Sequence, residues 1–433
     1  MKILVLSNLY PPDVIGGYEL VCAQVVDALR ERGHELYVLT SSPRHPVAAA
    51  AHVHRRLQFT NIYDALWAAK TACVTRTLAE VQANYINAHN VHGLLSALEE
   101  FGPDVVYLHN LVGLGGLGLL ACLHHLRVPW VWQLGDAVPR HLCSKPCTAM
   151  QDFAMPWGEA APVFVAEYNR QFRGHYLPCS RRLLDEIEAC GLCIREQAEI
   201  LPNWFHGPRP KPRTAYLQAN RLRIVTAGAV SKHKGTDILI EAAAVLCRMG
   251  YDNFSIDIYG KAADPTFQTT IAQLGVGRHV ALMGTRSHAE LAQLFAEYDV
   301  FAFPTWQREP FGVAPLEAGA CGCVPLLSRS CGIAEWFVHG VHCLKAERTS
   351  PAFAEVFAAI LDGIIDLEPL GRRASAVIQR DFHLDAVLPK IERALQRMAG
   401  KPRQGAGTAA EAYQLALLAE RTAQVLVQDS LCA

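Results

Sequence analysis

This chain has little net charge, no long apolar run and no metal-binding Asp-x-Asp triplet. Its 433 residues include 40 Lys and Arg against 41 Asp and Glu, which gives a formal net charge of −1. A nucleic-acid-binding protein normally carries a basic excess, so we expect no nucleic-acid partner. The longest apolar run, Leu111 to Leu123, contains four glycines and falls well short of the roughly 20 residues needed to span a bilayer.

The N-terminal stretch has too few consecutive apolar residues for a signal peptide, because a double proline at Pro11–Pro12 interrupts it. We interpret it as a first strand and expect a cytoplasmic protein. The 14 cysteines are scattered, and the close pairs, such as Cys190 and Cys193, do not form a zinc-ligand pattern. We therefore predict free, buried cysteines that behave as small hydrophobic residues, and no metal site.

Short apolar runs that alternate with helical spacing predict an α/β fold. Lys2–Ser7 is a continuous aliphatic run, Glu19–Arg32 has apolar residues at helical spacing, and Glu35–Thr40 is again strand-like. Together they form a βαβ unit. Further strands are predicted at Pro103–Leu108 and Pro129–Leu134. Because the chain length favours two domains of about 200 residues each, we predict that the first half is one doubly wound, Rossmann-like domain.

A proline-rich stretch separates the two halves. Residues 201–212 contain four prolines and one glycine, a composition that excludes a helix or a central strand. In the second half, strands that alternate with helices are predicted at 222–227, 255–259, 280–283, 300–303 and 323–327. The predicted organisation is an N-terminal Rossmann-like domain at 1–202, a linker at 203–220, a C-terminal Rossmann-like domain at 221–395, and a tail at 396–433 that ends in a helix at 409–427.

Two carboxylates eight residues apart, Glu309 and Glu317, flank a predicted helix start. We expect the helix to begin near Ala314–Pro315, because proline is tolerated in a first helical turn. Phe311 and Gly312 would then lie at a helix N-terminus, where free backbone N–H groups suit phosphate or sugar oxygens. Glu317, one turn into the helix, can accept hydrogen bonds from a diol.

Glycine-containing loops follow a predicted strand in each half. Gly228 opens a loop that also contains Lys232 and Lys234, and Gly16–Gly17 follow the first strand of the chain. Glycine lets the backbone approach a phosphate closely, and lysine supplies positive charge. The lysine-containing loop lacks the spacing and the final Ser/Thr of a Walker motif. We also predict that Thr236 caps the helix that follows this loop.

The order of these motifs resembles that of the family 4 glycosyltransferases of the GT-B fold. The three motifs are PP-(x)3-GG-x-E, G-(x)5-KG and E-x-FG-(x)4-E, and the resemblance extends from residue 1 to about residue 395. It implies an α/β protein of two Rossmann-like, doubly wound domains that face each other across a cleft. It also implies a nucleotide-diphosphate sugar as donor, retention of anomeric configuration and no required cofactor.

The resemblance also implies roles for individual residues. Lys234 and the residue after Gly228 would hold the donor diphosphate, and Gly16–Gly17 would approach its phosphates from the other domain. Glu309 would hold the transferred sugar, and Glu317 would accept from the ribose hydroxyls.

This chain departs from the family pattern at two positions. The family usually has arginine where Ala229 stands, so we expect either that Lys232 or Arg308 replaces that positive charge or that the donor is held more loosely. The family often has histidine before the aspartate of Gly135–Asp136. We expect Asp136 to contact the transferred sugar in its place, with His109 behind it. Alternatively, the Asp136 side chain caps a helix.

Several basic residues lie close together before residue 60. One interpretation is a solvated surface loop, and the other is a basic rim that binds a phosphorylated or membrane-borne acceptor at the cytoplasmic membrane face. These residues are His45, His52, His54, Arg55 and Arg56.

The predicted function is hexosyl transfer from a UDP- or GDP-sugar to a glycan, lipid-linked or small-molecule acceptor in polysaccharide or glycoconjugate synthesis. Without an Asp-x-Asp triplet, we expect Lys234 and backbone N–H groups to neutralise the leaving diphosphate. One alternative is a non-catalytic partner or lectin-like subunit, which Ala229 and Gly135 favour. The other is a GT-B enzyme of different chemistry, such as a sugar-nucleotide epimerase or a phosphorylase.

Overall fold

A computed structural model describes residues 1–42, 50–61, 79, 81–139, 173–261, 266–400 and 407–432. The chain forms two compact units. The first comprises Met1–Pro178, Leu183–Leu201 and Leu388–Ala433, and the second comprises Cys179–Arg182 and Pro202–Val387. These bounds differ from the sequence-based ones, because the described residues from Leu388 onward belong to the first unit, whereas the sequence predicted a tail that begins at residue 396.

A parallel sheet of six strands forms the centre of the first unit, in the order β3-β2-β1-β4-β5-β6. This is the strand order of a doubly wound nucleotide-binding fold. Its strands are β1 Lys2–Leu6, β2 Glu35–Ser41, β3 Val53–Leu57, β4 Val105–Leu108, β5 Trp130–Leu134 and β6 His175–Pro178. The helices described in this unit are α1 Gly17–Glu31, α2 Ala88–Phe101, α3 Gly116–His125 and α4 Arg181–Glu188, with a π-helical turn at Val81–Tyr85.

A second six-stranded sheet has the order β12-β11-β10-β7-β8-β9, which is the same topology. Its strands are β7 Leu222–Ala227, β8 Phe254–Tyr259, β9 Val280–Gly284, β10 Val300–Phe303, β11 Val324–Ser328 and β12 Leu344–Ala346. Its helices are α5 Thr236–Arg248, α6 Thr266–Gln273, α7 His288–Phe295, α8 Ala314–Ala320, α9 Ser350–Leu361 and α10 Leu367–Asp381. Two further helices follow, α11 Leu384–Ala399 and α12 Ala409–Cys432.

Continuous aliphatic strands account for the core of each sheet. In β1 the residues from Ile3 to Leu6 are fully buried, as expected for a parallel strand that is covered on both faces. In the second sheet, Leu222 and Ile224 of β7 are likewise fully buried and belong to one hydrophobic cluster with α5 and α9. The predicted α/β class and the two Rossmann-like domains are confirmed.

Three short strands were not expected from the sequence. β3 occupies residues interpreted as a surface loop, so that interpretation is wrong for residues 53–57. β6 and β12 are only four and three residues long. Each pairs with a neighbouring parallel strand, β6 with β5 and β12 with β11.

The cysteines and the long helices agree with the sequence predictions as far as the structure describes them. Ten cysteines whose side chains the structure describes are free, and seven of them are buried. Within the same ranges, no helix combines the length and the apolar character needed to cross a bilayer.

Candidate active site

The strand order of the second sheet brings two loops together. β7 and β10 are parallel neighbours, with Ile224 opposite Val300. The chain leaves β7 at Ala227 and β10 at Phe303, so their carboxyl ends lie side by side. In an open α/β sheet, this point of reversed strand order is where ligands bind. We call residues 228–235 the lysine loop and residues 304–313 the glutamate loop.

Glycine at the end of the lysine loop allows the two loops to approach closely. Gly235 has φ +77°, and a Cβ atom there would overlap the carbonyl oxygen of Pro304. Ahead of it, Lys232–Lys234 form a short 3-10 turn, and the Ser231 hydroxyl accepts a hydrogen bond from the Lys234 N–H at 3.3 Å. The sequence therefore sets the loop backbone by a left-handed glycine and a serine cap.

The prediction that Thr236 caps the following helix is wrong. Gly235 is the capping position of α5, and Thr236 is its first residue. The Thr236 hydroxyl instead accepts a hydrogen bond from the Ser231 N–H at 3.0 Å, which closes the lysine loop.

Lys234 and Glu309 form an ion pair between the two loops, through Nζ and Oε2. The Thr305 hydroxyl donates to the same Oε2 at 2.7 Å. Thr305 is fully buried and Glu309 is 8% exposed, whereas the Lys234 side chain is 32% exposed. Within the described residues, the other carboxylate oxygen of Glu309 accepts no hydrogen bond. That oxygen could still accept a hydrogen bond.

The backbone around Glu309 is held by neighbouring segments. The Gly332 N–H donates to the Glu309 carbonyl at 2.9 Å. Phe311 is buried, and Gly312 has φ +103°, with space for a Cβ blocked by the Phe303 ring at 2.6 Å. Helix α8 begins at Ala314, as predicted, so Phe311 and Gly312 lie just before it. Their proposed contact with phosphate stays a prediction.

Glu317 has a partner that the sequence did not indicate. Its Oε1 lies 3.2 Å from Nδ1 of His288, at the start of α7. This hydrogen bond raises the pKa of His288 above its usual 6.5, although burial opposes the shift. The Glu317 side chain is 24% exposed, so it remains open to a ligand.

The residues expected to replace the missing arginine at Ala229 differ in their surroundings. Lys232 is exposed, and the Arg308 guanidinium lies 5.1 Å above the Trp306 ring. A third cation, Arg348, was missed. It donates to the Pro304 carbonyl at 3.1 Å and to the Lys232 carbonyl at 2.6 Å, so it spans both loops.

The glycine pair of the first unit follows β1 and lies at the start of α1. The buried Glu19 carboxylate accepts from the backbone N–H groups of Ile15 at 3.2 Å and Gly16 at 2.9 Å. Both Gly16 and Gly17 are exposed, and a Cβ on either would meet nothing within 4 Å. Packing inside the unit therefore does not require glycine here, which is consistent with space kept for a ligand.

His109 and Asp136 lie beyond the carboxyl ends of β4 and β5. His109 is fully buried, and burial lowers its pKa to about 3, so its ring is neutral. In this conformation it does not reach solvent. Asp136 is exposed, and its Oδ1 accepts from the Ala137 N–H at 2.6 Å. Their predicted contact with the sugar stays a prediction.

The basic cluster before residue 60 is largely used within the first unit. His45 lies outside the described residues. The His54 ring stacks on Tyr37 at 3.6 Å, and Arg56 pairs with Glu100 at 2.7 Å. The Arg55 guanidinium donates to the carbonyls of Tyr10 at 3.2 Å and Pro11 at 2.6 Å, where it supports the loop after β1.

Comparisons with known proteins agree with this architecture. Residues 15–206 match the family described as Glycosyltransferase Family 4, and residues 212–376 match the family described as Glycosyl transferases group 1. The amylovoran biosynthesis glycosyltransferase AmsK of Erwinia amylovora is 27% identical over 52% of this chain and 56% of the relative. A D-inositol 3-phosphate glycosyltransferase of Gordonia bronchialis is 25% identical over 89% of this chain and 86% of the relative.

Solved structures show the same fold. HepE of Anabaena in complex with UDP has a TM-score of 0.65 and 19% identity, over 92% of this chain and 100% of that one. WaaG, a glycosyltransferase involved in lipopolysaccharide biosynthesis, has a TM-score of 0.62 and 18% identity over the same shares. The two family matches cover nearly all of both Rossmann-like domains, and the chain belongs to the family 4 glycosyltransferases of the GT-B fold.

Proposed function

We propose that the protein transfers a hexosyl group from a UDP- or GDP-sugar to an acceptor hydroxyl with retention of configuration and without a required metal. The observation that supports this most directly is the cluster of Lys234, Glu309 and Thr305 where β7 and β10 end. It combines a partly exposed cation with a buried, oriented carboxylate at the ligand-binding edge of the sheet.

Each side chain of the cluster has a chemical task in this proposal. When the bond between the anomeric carbon and the diphosphate breaks, negative charge develops on the leaving group and positive charge on the sugar. Lys234 and the backbone N–H groups of Phe311 and Gly312 would stabilise the diphosphate. Glu309 would accept from a sugar hydroxyl and favour the positive sugar. The acceptor oxygen then bonds to the anomeric carbon, and its proton passes to an oxygen of the departing diphosphate.

The other site residues would bind the donor outside the reacting bond. Glu317 would accept from the ribose hydroxyls, and Gly16–Gly17 would let the backbone approach a phosphate closely. Asp136 would contact the transferred sugar. For the acceptor we propose a glycan, a lipid-linked glycan or a small molecule. The named relatives, one in amylovoran biosynthesis and one for D-inositol 3-phosphate, cover acceptors of different kinds.

A donor panel tests this proposal. UDP-, GDP- and ADP-sugars are incubated with the protein, and we measure donor hydrolysis together with binding by calorimetry. Lys234→Ala should weaken binding of the preferred donor about tenfold or more, because a hydrogen bond to a charged group contributes about 1.5–3 kcal/mol. Lys345→Ala on β12 removes the same charge two strands away from β10 and should leave affinity unchanged.

The outcomes separate the alternatives. Donor binding without turnover for any acceptor or for water would favour a non-catalytic, lectin-like subunit. A product in which the sugar is epimerised but is still attached to the nucleotide would favour an epimerase. Equal affinities of the Lys234 variant and the unaltered protein would show that the lysine loop does not bind the diphosphate.

A further inference from the structure

Arg348 lies in the short connection between β12 and α9, about 40 residues after the glutamate loop. Its Nε donates to the Pro304 carbonyl at 3.1 Å. Its Nη2 donates to the Lys232 carbonyl at 2.6 Å and approaches the His233 carbonyl at 3.5 Å. One guanidinium group therefore contacts the backbone of the lysine loop and of the glutamate loop.

The two loops are joined by further contacts around this guanidinium. The backbone N–H of Trp306 donates to the His233 carbonyl at 3.0 Å, and the centroids of the Trp306 and His233 rings lie 4.0 Å apart. The next residue along the lysine loop is Lys234, whose Nζ reaches Glu309. The position of the Lys234 backbone thus depends on contacts made by the residues immediately before it.

Within the described residues, Arg348 donates to carbonyl oxygens through two of its nitrogens, Nε toward Pro304 and Nη2 toward Lys232 and His233. A planar guanidinium can donate along several fixed directions at once, whereas the single ammonium of lysine has a compact head on a flexible stem. Arg348 also places positive charge at a loop whose position 229 is alanine. That charge acts on the loop: burial is the main cause that lowers the pKa of His233, and the cations Lys234 and Arg348 lower it further.

We propose that Arg348 is a positioning residue for donor binding, which holds the 3-10 turn of the lysine loop against Pro304 so that Lys234 faces the diphosphate. It would not touch the donor itself. This inference rests on the proposed function for its consequence, but the ordering of the loop can be measured without any nucleotide.

The first measurement is calorimetric titration with UDP. If Arg348→Ala leaves the loop in its competent position only about a tenth of the time, the apparent Kd rises about tenfold, because affinity scales with the competent fraction. Arg348→Lys should show most of this loss of affinity, since lysine retains the positive charge but not the planar guanidinium group with its several donors. Added guanidinium chloride at millimolar concentration should partly restore binding to Arg348→Ala. Arg372→Ala, on the exposed face of α10, is the matched control.

The second measurement is amide hydrogen exchange without ligand. The N–H groups of Lys234, Gly235 and Thr236 are hydrogen-bonded within the lysine loop. They should exchange faster in Arg348→Ala, while the amides of β7 keep their protection and the melting temperature stays within a few degrees. If exchange becomes faster throughout the whole unit, and not selectively at these three amides, the substitution destabilises the unit generally and the inference is overturned.

The two measurements separate this inference from the proposed function. If the unaltered protein binds no UDP, GDP or ADP-sugar, the proposed function fails, and exchange at Lys234 to Thr236 still decides whether Arg348 orders the loop. If the unaltered protein binds UDP and Arg348→Ala binds it equally well, the inference is wrong and the proposed function stands. Unchanged exchange at these three amides also overturns the inference.

Discussion

Replacement of Glu309 by glutamine tests the chemistry of the site with the least change in shape. In the structure, Oε2 of Glu309 takes both the Lys234 ammonium and the Thr305 hydroxyl. Both are donors, so the new amide must turn its oxygen to that side. Its NH2 group then occupies the position of Oε1. A hydrogen-bond donor would thus face the sugar where the native residue presents a negatively charged acceptor.

The expected loss is in turnover. Glu309 is 8% exposed, so its charge is poorly screened by solvent and acts strongly on charge that develops nearby. Removal of one such preorganised group typically costs about 2.7–4 kcal/mol in the transition state, which lowers kcat about 10²- to 10³-fold. The donor KM should change by less than about threefold, because Lys234, released from its ion pair, remains available to the diphosphate.

Steady-state kinetics with the preferred donor, supported by circular dichroism and a melting curve, measures this separation. Glu355→Gln, on an exposed position of α9, is the matched control and should change activity and stability by less than about 0.5 kcal/mol. A raised KM with unchanged kcat would show that Glu309 binds the ribose end of the donor, and that the donor lies in the opposite orientation to the one proposed. If neither parameter changes, Glu309 is not part of the reacting site.

Three other changes probe the remaining contacts. Glu317→Gln should chiefly raise the donor KM and should return the pKa of His288, measured by NMR, toward 6.5. The ion pair between His288 and Glu317 is present below the raised pKa of His288 and is lost as pH increases through it. An unchanged His288 titration in this variant would contradict the contact. Thr305→Val should lower kcat about tenfold and Thr305→Ser should restore it, because the Thr305 hydroxyl donates to Oε2 of Glu309 and helps to orient the carboxylate; equal activity of both variants would refute that role. Activity should survive EDTA, and a strict requirement for added Mn²⁺ or Mg²⁺ would show that a metal neutralises the diphosphate.

Elements with strong local signals follow from the sequence alone. Leu222–Ala227 and Val300–Phe303 form strands with the predicted bounds. Val300–Phe303 is a continuous apolar run that is buried throughout, as suits a parallel strand covered on both faces, and Leu222–Ala227 buries Leu222, Ile224 and Val225. Helix α8 begins at Ala314, since Pro315 fits a first turn but not a helix interior. The motif that contains Lys234 and the one that contains Glu309 were recognised for the same reason: each is a short local pattern.

The contacts that build the site depend on the tertiary structure. Lys234 and Glu309 are 75 residues apart, and they meet because β7 and β10 are neighbours in the sheet, which no local pattern specifies. Arg348 and His288 belong to no recognisable sequence motif. Arg348 donates to carbonyl oxygens of distant loops, and His288 contacts the Glu317 carboxylate on another helix. Strand order is determined by how the whole sheet packs, and a side chain acquires its role only once that packing decides which distant residues lie within hydrogen-bonding distance.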